Sequence, residues 1–170
     1  MAERFPLAGR RVVEVLATSA GGVGTHVRAL LPVVRSAGAD VGVCGAPATE
    51  ELFGFTAAGA DFTPVGISNG LAPLADARAV LELRRAVAGA DLVHAHGLRA
   101  GLVAAVALRL PGPRPPLVLT LHNPAPPGGG LRRRVLDAGP DAAEPWLATE
   151  YVGGASLDAE EFARIVRAAV

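Results

Sequence analysis

The stretch Arg11-Val12-Val13-Glu14-Val15-Leu16-Ala17, followed after Thr18 by Ser19-Ala20-Gly21-Gly22-Val23-Gly24, decides the fold. Its first half is a β-branched run of strand length. Its second half is a glycine turn too short for a hairpin partner. Beyond the turn, residues 26–37 place Val27, Leu30, Leu31 and Val34 at helical spacing, and Gly38 stops the pattern. Strand, tight turn and helix in that order open a βαβ unit.

The alternation continues outward along the chain. Residues 40–44 predict a second strand, broken by Gly45 and Pro47. Residues 49–58 predict a short helix with Thr49 as its cap, and 62–65 a third strand. Residues 73–88 predict a helix whose apolar set is Leu74, Val80, Leu81 and Val87, set against Arg78, Arg84 and Arg85. Residues 91–96 read as a fourth strand, 99–110 as an almost wholly apolar and therefore buried helix, and 116–122 as a fifth strand. Nearly continuous apolar strands suit a parallel sheet covered on both faces. The expected fold class is thus α/β, a doubly wound parallel sheet in a single domain. After His122 the character changes, with three Pro and three Gly in residues 123–130. A strand is expected at 146–152. Asp158 with Glu161 makes a capping box for a terminal amphipathic helix carrying Phe162, Ile165 and Val166.

Composition excludes several classes. The 170 residues are 51% hydrophobic and 19% charged, too apolar for a disordered chain. Sixteen basic residues, all of them Arg, cancel sixteen acidic ones, so no footprint for nucleic acid or an anionic membrane is present. The lone Cys44 rules out a disulfide framework and a thiolate metal cage, and fits a reducing cytoplasm. Residues 1–10 lack the apolar core of a signal peptide. The apolar stretch 102–110 is too short to span a bilayer.

Two groups of residues point to chemistry. Ligands of open α/β sheets gather at the carboxyl ends of the strands, where the glycine turn lies. Glycines admit close backbone approach, and a helix start offers N–H groups to an anion. A dinucleotide site would need a third glycine where Val27 stands and an acid where Cys44-Gly45-Ala46 stand, and a Walker loop would need a Lys. An anion or sugar contact is favoured over a turn made only for packing. Three of the four histidines close predicted strands: His94 and His96, two apart and on one face, and His122 on the neighbouring strand. Imidazoles there can orient sugar hydroxyls or phosphate oxygens, or bond to nearby backbone. His26 faces either solvent or the crevice. No third ligand of matching spacing supports a zinc site, so no metal is expected.

Four stretches in this order resemble the N-terminal half of the family-4 retaining glycosyltransferases of GT-B type. They are Ala20-Gly21-Gly22-Val23-Gly24-Thr25-His26-Val27, Ser36-Ala37-Gly38-Ala39-Asp40-Val41, Ala90-Asp91-Leu92-Val93-His94-Ala95-His96-Gly97 and Val118-Leu119-Thr120-Leu121-His122-Asn123. The Ala-rich, Lys-free composition is similar to that of proteins from high-GC actinobacteria. The resemblance implies a Rossmann-like domain over 10–137, one half of a two-domain enzyme, followed by an atypical tail at 138–170. It implies sugar transfer with retention from a nucleotide sugar to a hydroxyl acceptor, with no separate cofactor. Gly21, Gly22 and Gly24 would approach the donor phosphates, His122 would lie beside the reacting sugar, and His96 would line the acceptor pocket. Thr25 and Asn123, flanking the turn and His122, join them as substrate contacts. The family's C-terminal donor domain would be the missing partner. In its place residues 144–157 resemble the hinge segment of bacterial Ser/Thr kinases, without any kinase catalytic motif. The alternatives are a noncatalytic binding or assembly module, a truncated remnant, and a flavodoxin-like phosphate binder.

Overall fold

The computed structural model describes residues 7–122 and the strand at 146–150. Six strands form one sheet: β1 (Arg11–Leu16), β2 (Asp40–Gly45), β3 (Asp61–Pro64), β4 (Leu92–His96), β5 (Leu117–Leu121) and β6 (Trp146–Glu150). Every neighbouring pair is parallel, in the order β3-β2-β1-β4-β5-β6. That order reverses between β1 and β4, the place where doubly wound sheets open a crevice at the strands' carboxyl ends. The expected strand near 146 takes the edge beside β5, with Trp146 opposite Leu117. The segment 131–137 and the terminal helix lie outside the described residues.

Four helices cover the sheet: α1 (Gly22–Ser36), α2 (Pro47–Phe53), α3 (Pro73–Ala86) and α4 (Leu98–Ala107). Strand parity divides the core between the two faces. Val12, Leu16, Leu92 and Val118 pack under Val27, Leu30, Leu31 and Val34 of α1. Each of those four α1 side chains contributes about 1.5–3 kcal/mol of gross apolar burial. Val13, Val15, Val93, Ala95 and Leu119 pack on the other face, against Ala79 and Leu83 of α3 and Ala100, Val103 and Ala104 of α4.

Local readings need four corrections. Helix α1 begins at Gly22, inside the expected turn, because Gly24 must be helical to pass under Phe53; a Cβ at Gly24 would run into that ring. Helix α2 starts at Pro47 behind Ala46 and stops at Phe53, where Gly54 turns left-handed with φ +61°, so Thr49 lies inside it, buried, and caps nothing. On α3 the buried line is Ala79, Leu83 and the following Val87, while Leu74 is 90% exposed. Finally, α4 is only half buried, since Leu98, Leu102 and Val106 form an outward row at every fourth residue. An all-apolar helix gives periodicity no contrast with which to find its inner face. No helix among the described residues is long and apolar enough to cross a membrane.

Candidate functional site

The register of the three central strands assembles a buried polar cluster. Glu14 on β1 lies opposite His94 on β4, and His96 lies opposite Thr120 on β5. Even parity puts all four on the α1 face, toward the carboxyl ends of the strands. Glu14 and His94 are fully buried, and His96 and Thr120 are 2% exposed. Glu14 Oε2 lies 2.8 Å from His94 Nδ1 and accepts a hydrogen bond from His96 Nε2 at 2.7 Å. His94 Nε2 is 2.8 Å from Thr120 Oγ1. Just past the end of β5, the half-buried His122 brings Nε2 to 3.2 Å from His96 Nδ1. His26 on α1 closes the group, its ring 5.1 Å from that of His122 and 5.7 Å from that of His96. It therefore faces the crevice.

That contact ties the histidines to the glycine-rich helix start. Ser19 Oγ accepts the N–H of Gly21 at 3.4 Å and of Gly24 at 3.3 Å, and Thr25 N–H returns to Gly21 O. The N–H groups of Gly22 and Val23 take no partner among the described residues. Gly21, Gly22 and Thr25 are exposed, with open space where a Cβ of either glycine would stand. Gly24 is buried against Phe53. At the start of α4, Gly97 needs its φ of +84° to turn the chain while its N–H bonds Thr120 O at 2.8 Å, pinning the end of β4 to β5. Asn123 lies outside the described residues.

The sequence model of Glycosyltransferase Family 4 matches residues 20–152, from the glycine turn through β6. The chain belongs to Glycosyltransferase Family 4. Among solved structures it is similar to MurG of Acinetobacter baumannii, with a TM-score of 0.58 at 20% identity. The match covers 82% of this chain and 45% of that one, so the chain spans under half the length of MurG and the likeness is one of fold. No curated protein matches.

Electrostatics in this family-4 chain follow from depth. Burial alone would raise the Glu14 carboxyl, but the contacts with His94 and His96 outweigh it and hold it at about 2. Burial lowers His96 to about 3, with repulsion from His94 adding to the effect and Glu14 opposing it. Burial, then His26 and His94, lower His122 to about 4. His26 is lowered by burial and by His94, against Glu14. The cluster therefore holds a carboxylate with neutral His96 and His122 at pH 7. Glu14, His94 and His96 place one ligand atom each within 4.8 Å of one another, a grouping that could hold a metal ion. Tetrahedral zinc ligands at about 2.0–2.1 Å from the metal sit about 3.3 Å apart. The 2.7–2.8 Å separations between Glu14 and the two imidazoles instead match direct hydrogen bonding. On the other face of the sheet, Cys44 is buried and its thiol is raised to about 12, first by burial.

A pH dependence follows. The unfolded chain protonates His96 near its usual 6.5, whereas the folded chain holds it near 3. Stability contributed by the neutral ring is complete above pH 6.5 and declines as pH falls toward 3. From pH 7 to pH 5, His96 alone should cost about 2 kcal/mol. Below pH 4.5 the depressed Glu14 adds a further loss. Urea unfolding at pH 7 and pH 5 measures this, and equal midpoints would contradict the buried, neutral ring.

Sequence reading singled out His96 and His122, and the structure brings them together. It passed over Glu14. The available signal was a lone acid inside the apolar run Val12-Val13-Glu14-Val15-Leu16, where an unpaired charge would be too costly to bury.

Proposed function

We propose that this chain forms the acceptor-side half of a retaining sugar transferase, moving a sugar from a nucleotide-sugar donor to a hydroxyl acceptor. A donor-nucleotide domain facing the crevice completes the enzyme in this reading. The single observation that carries it is the contact between His26 and His122, which joins the glycine-rich start of α1 to the histidine ending β5. The unpaired N–H groups of Gly22 and Val23, beside the exposed Gly21 and Thr25, suit the donor phosphates. His122, with Asn123 beyond it, meets the reacting sugar, and His96 supports that wall of the acceptor pocket. The cluster's carboxylate, Glu14, is fully buried. In this reading the leaving diphosphate itself assists the incoming hydroxyl, and Glu14 stays inside the sheet as a partner of the histidines. The nucleotide sugar is a substrate, and no resident cofactor enters this scheme.

Titration calorimetry of the chain with a donor domain of the same family, against a panel of nucleotide sugars, tests the reading. Binding of one nucleotide sugar with micromolar to millimolar affinity is expected. Its absence across the panel would overturn the function. A product whose anomeric configuration is inverted relative to the donor, read by NMR coupling constants, would overturn retention alone.

A further inference from the structure

We infer that Leu71, Leu74 and Leu98 form an apolar lip on the crevice, held in place by Arg99, that takes an alkyl or aryl group carried beside the acceptor's hydroxyl. The strand order requires a long crossing at this point. To pass from β3 at one edge of the sheet to β4, the chain must travel past the carboxyl ends of β2 and β1. The loop at 65–72 makes that passage and is fastened at each strand in turn. Val65 donates its N–H to Gly45 O, at the end of β2, at 2.8 Å. Thr18, two residues past β1, donates its N–H and its hydroxyl to Ile67 O at 2.8 and 3.1 Å. Arg99, in the first turn of α4 after β4, donates Nε to Ser68 O at 3.0 Å. The loop therefore runs along the switch in strand order between β1 and β4, where ligands of such sheets bind. Thr18 joins it directly to the glycine turn.

The same arginine reaches the start of α3. Arg99 Nη2 pairs with Asp76 Oδ1, and Asp76 Oδ2 accepts the N–H of Ala72 at 3.1 Å. The two charged side chains are only 17% and 21% exposed, so water screens the pair less than it screens a surface pair. Ser68 Oγ donates to Gly70 O at 2.9 Å and tightens the tip, while Ile67 is fully buried beneath it. Between these fixed points three large apolar side chains stand in water: Leu71 is 81% exposed, Leu74 90% and Leu98 41%. Leu71 and Leu74 flank the start of α3, and Leu98 precedes Arg99 on α4. A loop tied at both ends keeps its leucines outside, and a surface already ordered binds without the cost of ordering it. The crevice thus sorts a ligand by polarity, with backbone N–H groups at the start of α1 and leucines at the starts of α3 and α4. The lip follows from the fold; that its occupant belongs to a sugar acceptor rests on the function proposed above.

The test titrates the whole chain, ¹³C-labelled at the leucine methyls, with methyl, butyl and hexyl glycosides of glucose, galactose and mannose. In at least one sugar series affinity should rise about tenfold or more from methyl to hexyl. Methyl shifts should gather at Leu71, Leu74 and Leu98 and spare Leu52, which is 57% exposed on α2 beside α1. A flat series in all three sugars, or equal shifts at Leu52, would overturn the lip. Leu71→Ser combined with Leu74→Ser should abolish the chain-length dependence with an unchanged thermal melt, since both side chains are exposed. Arg99→Met, which keeps the stem and removes the clasp, should cut the hexyl-to-methyl affinity ratio about threefold or more. An unchanged ratio, whatever the absolute affinities, would assign Arg99 a merely structural role. A donor domain of the family that shifts the three leucines and erases the preference would make the lip an interdomain face and overturn the inference. Chain-length-dependent binding by a chain that takes no nucleotide sugar would sink the proposed function and spare the lip. Sugar transfer with no chain-length preference would do the reverse.

Discussion

Replacing His122 by Ala should slow sugar transfer roughly 10²- to 10⁴-fold, the range for a positioned imidazole that bonds a reacting group. Three observations set the size of the effect. His122 is half buried at the mouth of the crevice, where a substrate can reach it. Its ring is held from two sides, by the hydrogen bond to His96 and by the edge contact with His26, so its position costs nothing at the moment of reaction. Its depressed basicity keeps it neutral at pH 7. The loss should fall on kcat rather than on nucleotide affinity, because the proposed reading puts the donor phosphates at the start of α1 and not at His122. Folding should be little affected, since the ring lies at the end of β5 and not in either apolar core. Rates measured with a donor domain of the family, beside thermal melts of both proteins, test this. A variant with transfer within threefold of wild type and an unchanged melt would remove His122 from the chemistry.

Replacing His94 by Ala should cost about 3–5 kcal/mol of folding stability, the range for stripping one partner from a buried charge. Glu14 would stay in place, fully buried, with His96 its one remaining partner among the described residues. The removed ring would also leave a void beneath α1 and take away one partner of the Thr120 hydroxyl, at 2.8 Å. A typical domain has 5–15 kcal/mol in hand, so the variant should sit close to its unfolding midpoint. Urea denaturation gives the number directly. A loss below 1 kcal/mol would show that Glu14 does not depend on His94.

Much of this was legible in the residues. Parallel strands buried on both faces read as continuous apolar runs, so β1, β2, β4 and β5 stood out while the half-exposed Asp61–Pro64 of β3 gave only a faint signal, and their alternation with helices implied the layered sheet. Parity placed His94 and His96 on one face before any register was known. What stayed hidden was non-local. Nothing within a local window says that Glu14 falls opposite His94, because that depends on β4, and not β2 alone, lying beside β1. Helix faces failed where contrast failed: α4 is apolar all round, and α3 buries Ala79 and Leu83 while leaving Leu74 and Leu81 outside. The start of α1 was misjudged because its glycines were read as conformational freedom, whereas Gly24 is there to let Phe53 come close.

The central place of β1 also has a consequence for synthesis. Its first neighbour, β2, begins at Asp40, but its second, β4, does not begin until Leu92. During translation one edge of β1, with Glu14 upon it, has no native partner until the histidines emerge about 80 residues later. At ribosomal speeds of about 5–20 residues per second, that interval lasts roughly 4–16 s. For that time the acid has no native reason to leave water, and the nascent β1–β2 pair has every reason to keep one side wet. Insertion of β4 is then the event that closes the sheet and gives the carboxylate its two imidazole partners in one step. A strand lacking the matching imidazole would bury a bare charge on docking at that edge, so the Glu14–His94 pairing favours β4 there over any other strand.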